Sequence, residues 1–331
     1  MKHLSLFTRL LIIIAIVAVA GVYFSIISYD NGQRPTANSQ AKTLPIEAAA
    51  AAPGEARGAL RVRPAFNYAP LKPVGGKLRG VVELGASGFN SFIVRTDAHR
   101  NWQLAQAEFD NSLLMENMAS EEDIRRGLRA YIVGMLDYGV AGRDIHFVVS
   151  SGALKVPATQ RIAGELTRMG YVVNKMTAEK EAALGLSVAQ PSPFGDRSFV
   201  MDIGSGGTEI SWLVNGKPHS ATTYGSKYFE QGIADDTVAT DVKAKAQQVP
   251  ARLRQTCFII GGAPYEMAKK IRHGKERYTV LDAASAYQFD KAKLKSGLNI
   301  YRAAAEATGC KQFIFDWDAN FTIGYLLALP Q

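Results

Sequence analysis

Cysteine and histidine are scarce in this chain, with two and five respectively among 331 residues. No C-x-x-C pair occurs, and that argues against a zinc site. The charge is +8, but the basic residues are scattered and none cluster with interleaved aromatics, so no nucleic-acid partner is expected. A balance of this size suits a polyanionic ligand or an anionic membrane surface and specifies neither. Cys257 and Cys310 each stand just ahead of a short apolar run, FII and FIF. Two readings of them stand: a disulfide in an exported domain, or two buried free thiols.

Charge is also missing from residues 10–29, a stretch of about the 20 apolar residues that a helix needs to cross a bilayer. Lys2, His3 and Arg9 precede it, Asp30 follows, and the next basic residue is Arg34. The positive-inside rule then keeps residues 1–9 cytoplasmic and exports the remainder, the topology of a single-pass inner-membrane protein with a periplasmic domain. A cleaved signal peptide ending at Ala18-Val19-Ala20 is the alternative. The apolar run continues past that point through Val22, Tyr23, Phe24, Ile26 and Ile27, which favours an uncleaved anchor. Residues 30–76 are rich in Pro, Ala, Gly, Gln and Ser without a sustained apolar period, and read as a disordered tether. Beyond them, about 255 residues rich in Val, Ile, Leu and Gly can form one large core or two small domains.

Within that part, FVMDIGSGGTEISWLV (Phe199 to Val214) places Asp202 between an apolar run and a glycine turn, with Thr208 and Glu209 on the return. The same grammar occurs earlier in LRGVVELGASGFNSFIV, with Glu83, Gly85 and Gly88. Each stretch alone reads either as a tight hairpin, for which glycine supplies the backbone freedom, or as a phosphate loop whose N–H groups cradle an anion. A third glycine turn, Gly261-Gly262, follows CFII and leads into a helix-like stretch. Hairpins come first and α/β units after, twice over, and this suggests two related domains facing each other across a cleft.

Several segments, in order, resemble the exopolyphosphatase and guanosine pentaphosphate phosphohydrolase (Ppx/GppA) family. That family's D-L-G-S-N-S-F loop is similar to Glu83 through Phe89, and its T-S-A-L-R to Ser150 through Lys155. I-S-G-x-E-E-A falls on Met176 through Ala182, and D-I-G-G-G-S-T-E on Asp202 through Glu209. L-G-S falls on Tyr224 through Ser226, and the last motif on Asn320 through Gly324. The resemblance implies an α/β, two-domain actin-like ATPase (ribonuclease H-like) fold with an interdomain cleft. Domain I would span 77–196 and domain II 197–331, with the last helix packing back on domain I.

For function, the resemblance implies a phosphoanhydride hydrolase in which Glu181 activates water. Asp202 and Glu83 would hold Mg²⁺. Gly85, Ser87, Gly88, Lys155, Gly204, Ser205, Gly206, Gly207, Thr208 and Glu209 would bind phosphates. On the residues alone, Glu179 and Glu181 read first as a solvated helix start, where acids are favoured. An exported domain is out of reach of cytoplasmic nucleotides, so polyphosphate or another external phosphorylated molecule is the expected ligand. A second copy or an envelope protein stands as a further partner. The implied fold also sets the two cysteine-bearing strands side by side, in support of a Cys257–Cys310 disulfide.

Departures from the family pattern all weaken anion binding. Glu83 replaces Asp, Ala86 and Gly88 replace hydroxyl residues, and Gly207 replaces Ser with Ser205 in partial compensation. Lys155 replaces an arginine and loses the bidentate fork, and Thr322 replaces the terminal arginine. A catalytically weak or inactive domain that binds a phosphorylated ligand or a protein is therefore the alternative function.

Overall fold

The computed structural model describes residues 66–86, 88–109 and 120–330, all within one unit, Arg61–Gln331. The expected cytoplasmic start, the membrane anchor, tether residues 30–65 and Ser87 lie outside the described residues. Among the described residues no helix is long and apolar enough to cross a membrane.

The first half builds one sheet from β1 (Lys77–Leu84), β2 (Phe89–Thr96), β3 (Trp102–Glu108), β4 (Ile145–Val149) and β5 (Val173–Lys175). Its order is β3-β2-β1-β4-β5, with β1 antiparallel to β2 and parallel to β4. Helices α1 (Glu121–Asp137) and α2 (Pro157–Arg168) accompany it, while α3 (Ala178–Ala189), next in the chain, packs against the second sheet. A capping box between Ser120 and Asp123 starts α1. Its buried residues Ile124, Leu128, Ile132 and Met135 recur at helical spacing and face the sheet's core.

The second half repeats the plan with β6 (Ser198–Ile203), β7 (Gly207–Val214), β8 (Lys217–Tyr224), β9 (Thr256–Gly261), β10 (Tyr278–Val280) and β11 (Gln312–Asp316). The order β8-β7-β6-β9-β11 matches the first sheet strand for strand in direction, and β10 is added antiparallel beyond β11. Helices α4 (Asp235–Ala246), α5 (Gly262–Lys269), α6 (Ala292–Thr308) and α7 (Phe321–Ala328) complete it. The duplicated hairpin-then-crossover order is therefore real, and α7 lies against α3 and β1.

Central strands β1 and β6 are buried on both faces, and successive side chains serve different cores. Val82 and Leu84 face the core of the first half, Phe199 and Met201 that of the second. Val81 and Val200 meet in a third core that also holds Phe258 and Ile314 from the second sheet and Ile323 from α7.

The tether expectation fails at its end. Residues 66–76 are placed, because Phe66 and Tyr68, two apart on an extended chain, insert rings into that third core. Phe66 lies 5.2 Å from both Phe194 and Tyr278, and Tyr68 lies 5.9 Å from Tyr278. Composition alone points to disorder here, but two aromatics suffice to dock the segment.

Candidate active site

Both sheets end their first strand in the same way. Glu83 sits one residue from the end of β1 opposite Asn90 on β2, and Asp202 one residue from the end of β6 opposite Glu209 on β7. The matched acids thus project from corresponding edges of two sheets related by a repeated topology. The N-terminus of α3 brings Glu181 to the same place, and that of α7 brings its capping residue Asn320.

Four carboxyl groups converge. Glu83, Glu181 and Glu209 are buried, and Asp202 is half-buried. Glu83 Oε2 accepts from Asn90 Nδ2 at 2.9 Å and from Asn320 Nδ2 at 3.2 Å. Asn320 is itself oriented by Thr322, whose N–H and hydroxyl both donate to its Oδ1. Glu181 is held twice by Ser151, whose N–H donates to Oε1 and hydroxyl to Oε2, both at 2.6 Å.

Burial pushes all four carboxyls up, and for Glu83, Asp202 and Glu209 repulsion from neighbouring acids adds to it. Glu83 rises to about 7 despite its two amide donors, and Asp202 to about 8. Glu209 is driven well above the carboxylate range by burial, Asp202 and Glu181. Glu181 is raised by burial, against the pull of Ser151. Among the described residues no lysine or arginine offsets this group. By contrast Glu179, two residues from Glu181, is exposed and held low by local hydrogen bonds. The helix-start reading therefore holds for Glu179 and fails for Glu181.

Carboxylates crowded without a cation are what a divalent ion would relieve. Among the described residues no three His, Cys, Asp or Glu side chains stand close enough to grip one ion. An ion here would take one or two carboxylates and complete its shell with water and ligand oxygens, the habit of Mg²⁺. Asp202 and Glu83 fit that role.

Beside the acids lies a cavity of about 670 Å³, walled by both halves. Of the phosphate-binding candidates, Lys155, Ser205, Gly206, Gly207 and Glu209 line it, together with Ala86 and Ser151, while Gly204 and Thr208 do not. Glu83, Asp202 and Glu181 do not line it. Glu209 and Ser151 are the links, since each faces the cavity and also acts on the acid group. The second glycine loop is stapled from behind, with Ser226 N–H donating to Gly204 O at 2.9 Å and Lys227 N–H to Ser205 O at 3.0 Å. Thr208 is fully buried beneath this loop with its hydroxyl unpaired.

The first loop differs from expectation. The Gly85 N–H is spent within its own turn on Gly88 O at 2.9 Å, so it is not an anion donor, and neither glycine lines the cavity. Where the halves meet, a Cβ on Gly152 would fall 2.9 Å from the Gly206 Cα, so the two backbones touch in the wall of the cavity. Ser151, Asn90 and Asn320 escaped notice in the sequence as site residues. Ser151 and Asn320 lie inside matched segments, and that was the one signal they carried.

Cys257 is fully buried in β9 and Cys310 half-buried before β11. Both are free thiols here, their sulfurs directed at the carbonyls of Phe258 and Gln312. The expected disulfide is not formed, and burial raises both thiols.

No protein-family model matches the chain, and no curated protein sequence matches it. Solved structures do. A Ppx/GppA family member from Aquifex aeolicus is 14% identical with a TM-score of 0.55, covering 76% of this chain and 97% of its own. An exopolyphosphatase-like protein is 14% identical with a TM-score of 0.59, covering 76% and 97%. An exopolyphosphatase from Cytophaga hutchinsonii is 14% identical with a TM-score of 0.52, covering 76% and 96%. The chain shares the actin-like fold of these Ppx/GppA structures; at such identities the likeness is one of fold, and the chemistry rests on the residues.

Proposed function

We propose that the chain is a phosphoanhydride hydrolase that removes terminal phosphate from polyphosphate or a related phosphorylated molecule. The observation that carries this reading is Glu181, a buried carboxylate held by Ser151, a residue that also lines the adjoining lysine-bearing cavity. Glu181 takes a proton from water as the water oxygen bonds to the terminal phosphorus. The bridging P–O bond breaks, and its electron pair leaves with the shortened chain. Lys155 and the backbone of Ser205 through Gly207 hold the terminal phosphate. Asp202 with Glu83 would hold Mg²⁺, which would supply neutralising charge to the phosphate oxygens. We further place the domain outside the cytoplasm, tethered by residues 10–29, on the strength of the uncharged run and the basic residues ahead of it.

A second reading has its own support. Closure of the first loop on itself, the Gly152–Gly206 contact, and the engagement of Glu83 by two amides suit a domain that binds a phosphorylated ligand, or a protein, without turning it over. Phosphate release from long-chain polyphosphate by the full chain with Mg²⁺, compared with Glu181→Gln, separates the two. Release that disappears in the variant establishes the hydrolase. Binding without release by the unmodified chain establishes the second reading.

A further inference from the structure

Three lysines line the cavity, together with the acids Glu209, Glu230 and Asp241. Lys227 lines it in a pair with Glu230, 3.2 Å from its Oε1. Lys155 and Lys245 line it too, and among the described residues neither is in an ion pair. Lys155 comes from the first half, ahead of α2, and Lys245 from the last turn of α4 in the second. The helix dipole favours a lysine at that turn for purely structural reasons. Lys243 shares the turn and is half-buried like Lys245, but it is turned away to Glu306 at 2.7 Å, whereas Lys245 faces the cavity. Asp241, one turn earlier on the same wall, accepts from the Thr223 hydroxyl and forms no ion pair with Lys245, so this half-buried cation is placed for an anion from solution.

We propose that Lys245 is a distal anion subsite that reads the length of a linear polyanion whose terminal phosphate lies at Lys155 and the second glycine loop. This rests on the phosphate reading of the cavity given above. A ligand of one or two phosphates satisfies Lys155 and stops short of Lys245, while a longer chain reaches both. Length preference is then set by α4, an element apart from the acids.

The test uses the full chain carrying Glu181→Gln, so that probes survive, and measures binding of pyrophosphate and of long-chain polyphosphate. Lys245→Ala is expected to weaken long-chain binding about 10-fold while changing pyrophosphate binding by less than about twofold. Lys243→Ala removes the same charge from the same helix turn and is expected to change neither; Lys245→Arg is expected to retain long-chain binding. If Lys245→Ala behaves like Lys243→Ala, or weakens both probes equally, the distal subsite is wrong and the phosphate site stands. If the parent binds neither probe, the phosphate reading falls and the subsite with it.

Discussion

Ser151 touches Glu181 through two groups, and their contributions are separable. Ser151→Ala removes the hydroxyl donor to Oε2 and keeps the N–H donor to Oε1. Losing a donor to the ionised form raises the carboxyl further, so the acid limb of the pH–rate profile moves to higher pH, and kcat is expected to fall about 10-fold. An unshifted acid limb would remove Glu181 from the role of base. The neighbouring acids make a second prediction. Glu83 at about 7 and Asp202 at about 8 bind protons in the folded state that an unfolded chain has already lost. Their contribution to stability is complete below about pH 4 and is lost as pH rises through 7 to 8, with a slope of about 1.4 kcal/mol per pH unit for each proton. Without divalent ions, Tm should fall from pH 5 to pH 8, and Mg²⁺ should restore more of it at pH 8 than at pH 5. A melting temperature indifferent to Mg²⁺ at pH 8 would show that the acids hold no ion.

At the scale of elements, helix α7 ends in carbonyls that need donors, and β1 supplies them. Arg79, 1% exposed, donates to Leu326 O at 2.7 Å and to Pro330 O, and lies near Asp144. Arg79→Met should cost about 3 kcal/mol in chemical denaturation, because it leaves those carbonyls unpaired. A loss under about 1 kcal/mol would mean that water replaces the guanidinium. The third glycine turn is as demanding. Gly261 has φ +104°, and a Cβ there would lie 2.4 Å from Ile203 O and 2.8 Å from Asp202 Oδ1. Gly261→Ala should destabilise by about 2 kcal/mol or more and displace Asp202, read as a loss of the Mg²⁺-dependent Tm shift. This is also the scale at which the sequence was most legible. Apolar runs closed by glycine turns marked β1, β6 and β9, and the repeated acid marked the doubled topology. The partners of those acids were hidden, since Ser151, Asn90 and Asn320 are ordinary polar residues until tertiary packing aims them. Arg79 reads as a surface charge in KLRGVVEL for the same reason. A glycine pattern such as that at Gly85 does not say whether its N–H closes the turn or faces the ligand.

For the whole molecule, the question is whether the two halves act as hinged domains or as one body. Their repeated topology suggests two independent folding units, but the packing between them argues otherwise. The third core draws on both sheets and on α3 and α7. Arg277 of the second half lies 4.4 Å over the ring of Trp102 in β3 while gripping buried Asp316 with two hydrogen bonds. Phe66 and Tyr68 seal the same core from outside. An apolar core shared in this way cannot be opened in one half without exposing the other, so unfolding should be a single transition. The calorimetric and van't Hoff enthalpies should then agree, and Phe66→Ala should lower that one transition by about 2 to 3 kcal/mol without splitting it. Two resolved transitions would mean that the third core is a docking surface, and the Gly152–Gly206 contact would then be free to part as the halves move. A single transition, raised as a whole by polyphosphate, would mean that the ligand binds the two halves as one body.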